Sequence, residues 1–133
     1  MAVLAEKLLV QKFFSLDTET TGIDPITAEL VGMSFSFAEN QAFYVPVPAN
    51  REEALTIVNI FKPAFENPDS LKIGQNIKYD LIMLANYGVT LKGKMFDTMI
   101  AHYVLQPELR HGMDYLAEIY LKYETIKIGR AHV

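Results

Sequence analysis

Hydrophobic and polar positions change their period along this chain, and each change marks an element. Phe13-Phe14-Ser15-Leu16 runs into Asp17-Thr18-Glu19, which predicts a buried first strand over Phe13–Asp17. Thr20-Thr21-Gly22-Ile23-Asp24-Pro25 is turn-rich and reads as the loop that follows. Partial alternation over Glu29–Phe37 predicts a second strand, Glu39-Asn40 a turn, and Gln41–Val47 a returning third strand. Pro46 places that strand near its end or at a sheet edge, because proline cannot donate to a ladder. The chain thus opens as an antiparallel meander.

Past Asn50, a good N-cap, the period becomes helical. Arg51–Glu66 carries apolar residues at 54, 55, 57, 58, 61, 64 and 65, and Asn67-Pro68-Asp69 ends it. Leu71–Gly74 is a short strand, and Ile77–Tyr87 an amphipathic helix stopped by Gly88. Met95–Leu105 reads as a further helix with Pro107 beyond it, and Asp114 as the cap of one over Tyr115–Leu121. Residues 1–12 form a leader that can be helical. Strands first and helix–strand alternation afterwards predict an α/β domain with a mixed sheet.

At 133 residues, half of them apolar and 21% charged, the chain is one domain's worth and can bury a core. No apolar run approaches the ~20 residues of a membrane span, and the start lacks the pattern of a secretory signal. The absence of cysteine excludes disulfides and thiolate metal sites, and fits a cytoplasmic protein. A net charge of −4 argues against gripping nucleic acid by bulk electrostatics alone.

The candidate chemistry lies at the end of the first strand. Alternation puts Asp17 and Glu19 on one side of it, where two anions repel unless something neutralises them. Hydrogen bonds or a lysine can do so, but a hard divalent cation does it best. A second stretch, Gly74-Gln75-Asn76-Ile77-Lys78-Tyr79-Asp80, sits where a strand gives way to a helix. Asn76 is placed to cap that helix, and Asp80, four residues on, shares its face and can point into the crevice above the first strand. Three carboxylates with little else suit two Mg²⁺ or Mn²⁺ ions ~3.5–4 Å apart, one activating a water and the other stabilising a leaving oxygen.

Leu16-Asp17-Thr18-Glu19-Thr20 followed by Gly74-Gln75-Asn76-Ile77-Lys78-Tyr79-Asp80 resembles the first two motifs of the ribonuclease H-like 3′–5′ exonucleases, whose metals are held by four acidic ligands. The likeness is greatest to the proofreading domain of bacterial DNA polymerase I. Leu30–Phe35, Leu84–Val89, Phe96–Met99 and Met113–Ala117 fall in that domain's order, and the resemblance covers roughly residues 13–126. It implies a mixed sheet, antiparallel in its first three strands and then parallel, with two divalent metal ions on Asp17, Glu19 and Asp80. It implies that Thr18, Thr20 and Ile23 meet the 3′-terminal nucleotide, Ile23 as an apolar wedge, and that Gln75, Asn76, Lys78 and Tyr79 line the single strand's path. The implied partners are the single-stranded 3′ end of DNA and a polymerase domain C-terminal to the chain, with no membrane, in the bacterial cytoplasm at the nucleoid. The implied reaction removes 3′-terminal nucleotides from single-stranded or frayed DNA.

Each residue also has a plainer reading. Lys78 can be an ordinary solvated lysine; Asp97 caps the following helix rather than binding metal; His102 belongs to core or rim; His111 lies in a loop. The third motif of the superfamily, Tyr-x-x-x-Asp or His-x-x-x-x-Asp, does not occur in these 133 residues. Tyr120-x-x-x-Glu124 imitates it too soon after the second motif. Residues 1–127 are therefore expected to be a partial exonuclease domain, inactive alone. The last six residues, Ile128–Val133, match a translated sequencing adapter and are expected to be a non-native tail. The competing readings are a non-catalytic structural module and an RNA-trimming exonuclease of the ribonuclease D type.

Overall fold

The structure is a computed structural model that describes residues 1–116. The elements run α1 (Ala2–Leu9), β1 (Phe13–Thr20), β2 (Leu30–Ala38), β3 (Gln41–Pro46), α2 (Arg51–Phe65), β4 (Leu71–Gly74), α3 (Ile77–Ala85), β5 (Met95–Asp97), α4 (Thr98–Leu105) and α5 (Met113–Leu116). The strands form one mixed sheet in the order β3-β2-β1-β4-β5. β1 and β2 are antiparallel, as are β2 and β3, whereas β4 lies parallel to both β1 and β5. This is the expected ribonuclease H-like sheet, with Pro46 ending an edge strand.

Alternation on β1 sends Phe14, Leu16 and Thr18 into the interior. Phe14 and Phe35 meet Phe61 and Phe65 from α2, with Phe35 stacked on Phe61 at 5.2 Å between ring centroids. The leader is part of this core: α1 packs on α2 and Leu8 is fully buried. Lys72 is enclosed on β4, where its Nζ donates to the Asn67 and Ser70 carbonyls at 2.5 and 3.1 Å and fastens the turn after α2.

Four expectations need correction. β1 does not stop at Asp17 but continues to Thr20, because β2 supplies partners as far as Leu30 across a bulge at Glu19/Thr20. The helix expected over Met95–Leu105 is divided. Met95–Asp97 pairs with the free edge of β4, and α4 begins only at Thr98. Asn76 stands at the N-cap position of α3 but is left-handed (φ 58°), and its side chain makes no capping bond. The Asp97 carboxylate takes that role, accepting from Asn76 N at 3.0 Å and Ile77 N at 2.8 Å. The last helix begins at Met113 rather than Tyr115 and is described to Leu116, so Asp114 lies within its first turn instead of capping it. Its remainder, Tyr120 to Glu124 and the six-residue tail lie outside the described residues.

Candidate active site

On β1 the face opposite the aromatic core carries Ser15, Asp17 and Glu19. Their partners on β2 are Ser36, Ser34 and Gly32. A cleft of about 220 Å³ opens beside Asp17, lined also by Ser15, Ser34, Gln75 and Thr98 among others, but not by Glu19 or Asp80. The larger hollow, about 510 Å³ between α1 and β3, is lined by apolar residues and holds no carboxylate. The candidate site is the acidic row at the rim of the smaller cleft, which Asp17 reaches.

Asp80 reaches β1 from α3 because β4 ends at Gly74. β4 pairs with β1 only as far as Ser15, so the Thr18 N–H further along has no strand partner on that side. Asp80 Oδ1 takes its place, accepting from Thr18 N at 3.0 Å and from Thr18 Oγ1 at 2.6 Å. The carboxylate is 2% exposed, and its other oxygen, Oδ2, is buried without a hydrogen-bond partner. A lone carboxylate oxygen out of water costs free energy until a proton or a cation meets it. Burial raises Asp80 to about 6, against a usual 3.8, and the two bonds from Thr18 restrain the rise.

Asp17 is raised further, to about 7, by burial, by the charges of Asp80 and Glu19, and by a hydrogen bond with Glu19. Burial is the largest of these influences, although one face of Asp17 meets solvent, and the neighbouring anions add to it. The three acidic groups thus share one field. Among the described residues, no three His, Asp or Glu side chains converge into a ready-made metal cage. The donor chemistry nevertheless fits a hard cation: the donors are all oxygens, with one orphaned and the others mutually repelled. A cation would have to draw them together.

The other expected site residues surround this row. Thr18 turns its side chain inward to Asp80 rather than outward to a ligand. Thr20 Oγ1 lies 2.6 Å from Tyr79 Oη and donates to the Gly22 carbonyl at 2.8 Å; Tyr79 Oη donates to the same carbonyl at 2.6 Å. These bonds tie α3 to the loop after β1, and Asn86 Nδ2 donates to Pro25 O at 2.7 Å to tie it again. From this anchored loop Ile23 projects with 95% of its surface exposed. Gln75 is occupied structurally, donating to His111 O at 2.5 Å and accepting from Thr98 Oγ1. Asn76 and Lys78 are exposed at the start of α3. Asp97 caps α4 as expected, accepting from Met99 N at 2.9 Å. His102 is buried, with its Nδ1 2.7 Å from that of His111.

Sequence reasoning passed over Tyr44, whose ring lies across Gly32 on the acidic face. The signal was present: a glycine inside a strand often marks the close approach of another group.

The fold is shared with nucleases. It superposes on NrnC of Brucella melitensis with bound Mg²⁺ at a TM-score of 0.73, 21% identity, over 93% of this chain and 64% of that one. On Escherichia coli RNase D the TM-score is 0.68 at 18% identity, over 94% of this chain and 32% of that one. Sequence likeness is stronger to two bacterial DNA polymerases I. That of Borreliella burgdorferi is 39% identical over 127 residues, 93% of this chain, and that of Pseudomonas aeruginosa 40% identical over 132 residues, 92% of it. The chain spans 14% of the length of either polymerase. The sequence profile described as 3′–5′ exonuclease matches residues 1–131. With the profile and both polymerase relatives in agreement, the chain belongs to the 3′–5′ exonuclease family found in DNA polymerase I.

Proposed function

We propose that this site serves the hydrolysis of the 3′-terminal phosphodiester of single-stranded or frayed DNA, as the proofreading unit of a polymerase whose catalytic domain follows in the parent chain. The observation that carries the reading is the unpartnered, buried Asp80 Oδ2 beside the mutually repelled Asp17 and Glu19. Asp17, Glu19 and Asp80 would hold divalent cations, and Mg²⁺ in the related nuclease NrnC supports that choice. Such ions supply Lewis acidity for water attack at phosphorus and for departure of the 3′ oxygen, releasing a nucleoside monophosphate.

The chain's own residues do the positioning. Thr18 holds Asp80 by one oxygen and leaves the other for a ligand. Tyr79 and Thr20 hold the loop from which Ile23 offers an apolar surface to the terminal base. Lys78, exposed at the start of α3, would meet a backbone phosphate. A mismatched end unpairs more readily than a matched one, which gives a single-strand cleft its selectivity. No described helix is long and apolar enough to cross a membrane, and we assign the parent protein to the bacterial cytoplasm, at the nucleoid.

A second reading, trimming of RNA, draws on the fold likeness to RNase D. The experiment compares 3′-labelled single-stranded DNA and RNA in Mn²⁺, using the chain and a version extended in its own gene by ~80 residues to take in a third motif. The extended version should shorten DNA from its 3′ end and lose that activity in Asp17→Ala, while the short chain stays inactive. Preferential shortening of RNA would move the assignment to the ribonuclease reading. Failure of the extended version on both substrates, with no Mn²⁺ uptake, would leave a structural module.

A further inference from the structure

Ile23 is the most exposed large apolar side chain among the described residues, yet the backbone on either side of it is held. At the neck of its loop, Thr21 N donates to Glu29 O at 3.0 Å and Glu29 N to Thr21 Oγ1 at 2.9 Å. At the tip, Ile26 N donates to Asp24 Oδ1 at 3.0 Å and Ala28 N to Asp24 O at 2.9 Å. Bonds within the loop fix its shape; its direction is fixed from α3. Tyr79 holds the Gly22 carbonyl just before Ile23, and Asn86 Nδ2 holds the Pro25 carbonyl just after it, at 2.7 Å. Asn86 is itself fixed from α2, where the Arg51 guanidinium donates to its carbonyl and lies 4.2 Å from the centre of the Tyr87 ring. Tyr87 Oη in turn accepts from Leu30 N at 2.9 Å, where the loop passes into β2. Partners for its last carbonyls are what a helix end needs. The outward bond from the Asn86 side chain to Pro25 is not among those needs.

We propose that Asn86 is a positioning residue for the 3′ end: by holding Pro25 it aims Ile23 at the terminal base, and it acts on the reaction through that base alone. This rests on the reading of the site as a 3′–5′ exonuclease with Ile23 against the terminal base. One bond at Gly22 fixes a point of the loop, and the second at Pro25 fixes its direction. An apolar side chain on a loose loop must be immobilised when the strand arrives, whereas one on a braced loop is ordered beforehand, so more of its contact appears as binding. Asn86→Asp keeps the shape of the side chain and replaces its donor with an anion that repels the Pro25 carbonyl. A brace that served stability alone would affect every substrate equally.

The test uses the version extended in its own gene through a third motif, and follows the first cleavage of 5′-labelled single-stranded DNA in Mn²⁺ with thermal midpoints recorded alongside. Two substrates differ in the last nucleotide alone: one carries its base and the other is abasic. On the base-bearing end Asn86→Asp should lower kcat/KM by about tenfold or more, as a displaced contact does. Asn86→Ala, which adds no charge, and Ile23→Ala should do likewise, and Asn86→Asp with Ile23→Ala should cost no more than either alone. On the abasic end, which offers Ile23 nothing to touch, these variants and the wild type should fall to one rate. Equal slowing of both ends by the Asn86 variants overturns the role of Asn86 and leaves the exonuclease reading standing. A base-bearing rate left at wild type by the Asn86 variants or by Ile23→Ala does the same. Unslowed cleavage in Asp17→Ala, or none in the wild type, overturns the exonuclease reading and the role of Asn86 with it.

Discussion

Thr18 does two jobs for Asp80 from one position on β1. Its backbone N–H is left over where β4 ends, and its hydroxyl points inward from the same residue, so both bonds converge on Oδ1. Hydrogen bonds from a buried donor to a charged acceptor contribute ~1.5–3 kcal/mol, and Thr18→Val keeps the shape while removing one. Thr18→Val should therefore lower stability at pH 8 by about 1–3 kcal/mol in urea denaturation. It should also raise Asp80 further, since the hydroxyl bond is among the influences holding its carboxyl down; NMR titration of the Asp80 carboxyl would show this. None of it is visible in the spelling Asp-Thr-Glu. The motif makes Thr18 a candidate substrate contact, whereas alternation along β1, carried past Asp17 by the pairing with β2, turns its side chain to the interior.

Among the elements, α3 is the bracket of the site. It carries Asp80 to β1, and through Tyr79 and Asn86 it holds the loop that presents Ile23. Its own start is held by Asp97, which also caps α4 with bonds to Met99 N and Ile100 N. Loss of one side-chain cap costs ~0.5–2 kcal/mol. Asp97→Ala removes two, and should destabilise the chain by about 1–3 kcal/mol in urea denaturation. Although Asp97 is not a proposed ligand, the change should also weaken Mn²⁺ binding, because α3 then holds Asp80 less firmly. Unchanged affinity in a destabilised but folded variant would show that Asp80 is positioned by Thr18 alone. The cap on α4 was legible in Asp97-Thr98 before an apolar run. The cap on α3 was not, since Asp97 lies 20 residues from Ile77 in sequence and meets it only when β5 pairs with β4.

At the scale of the whole molecule, the acidic row makes stability depend on pH in an unusual direction. Asp17 and Asp80 have folded values of about 7 and about 6 against 3.8 ordinarily, so between those limits the folded state holds more protons than the unfolded one. Their contribution is fully present below 3.8 and is lost as pH rises through about 6 and about 7. The metal-free wild type should lose stability relative to the Asp17→Asn, Asp80→Asn double variant between pH 5 and pH 8, as measured by urea midpoints. Mn²⁺ should restore the wild type at pH 8, do little at pH 5, where protons occupy the carboxylates, and leave the double variant unaffected. Much of this protein was determined by sequence alone: the meander, the apolar face of α2 and the strand–helix step at Gly74-Gln75-Asn76. These are local matters of period, capping and turn chemistry, which neighbouring residues decide among themselves. Only the tertiary structure decided that Met95–Asp97 is a strand, that Asp80 replaces a missing strand partner of Thr18, and that Tyr44 lies over Gly32. Each of those depends on which backbone edge or face is left open by residues distant in the chain, and no local period records that.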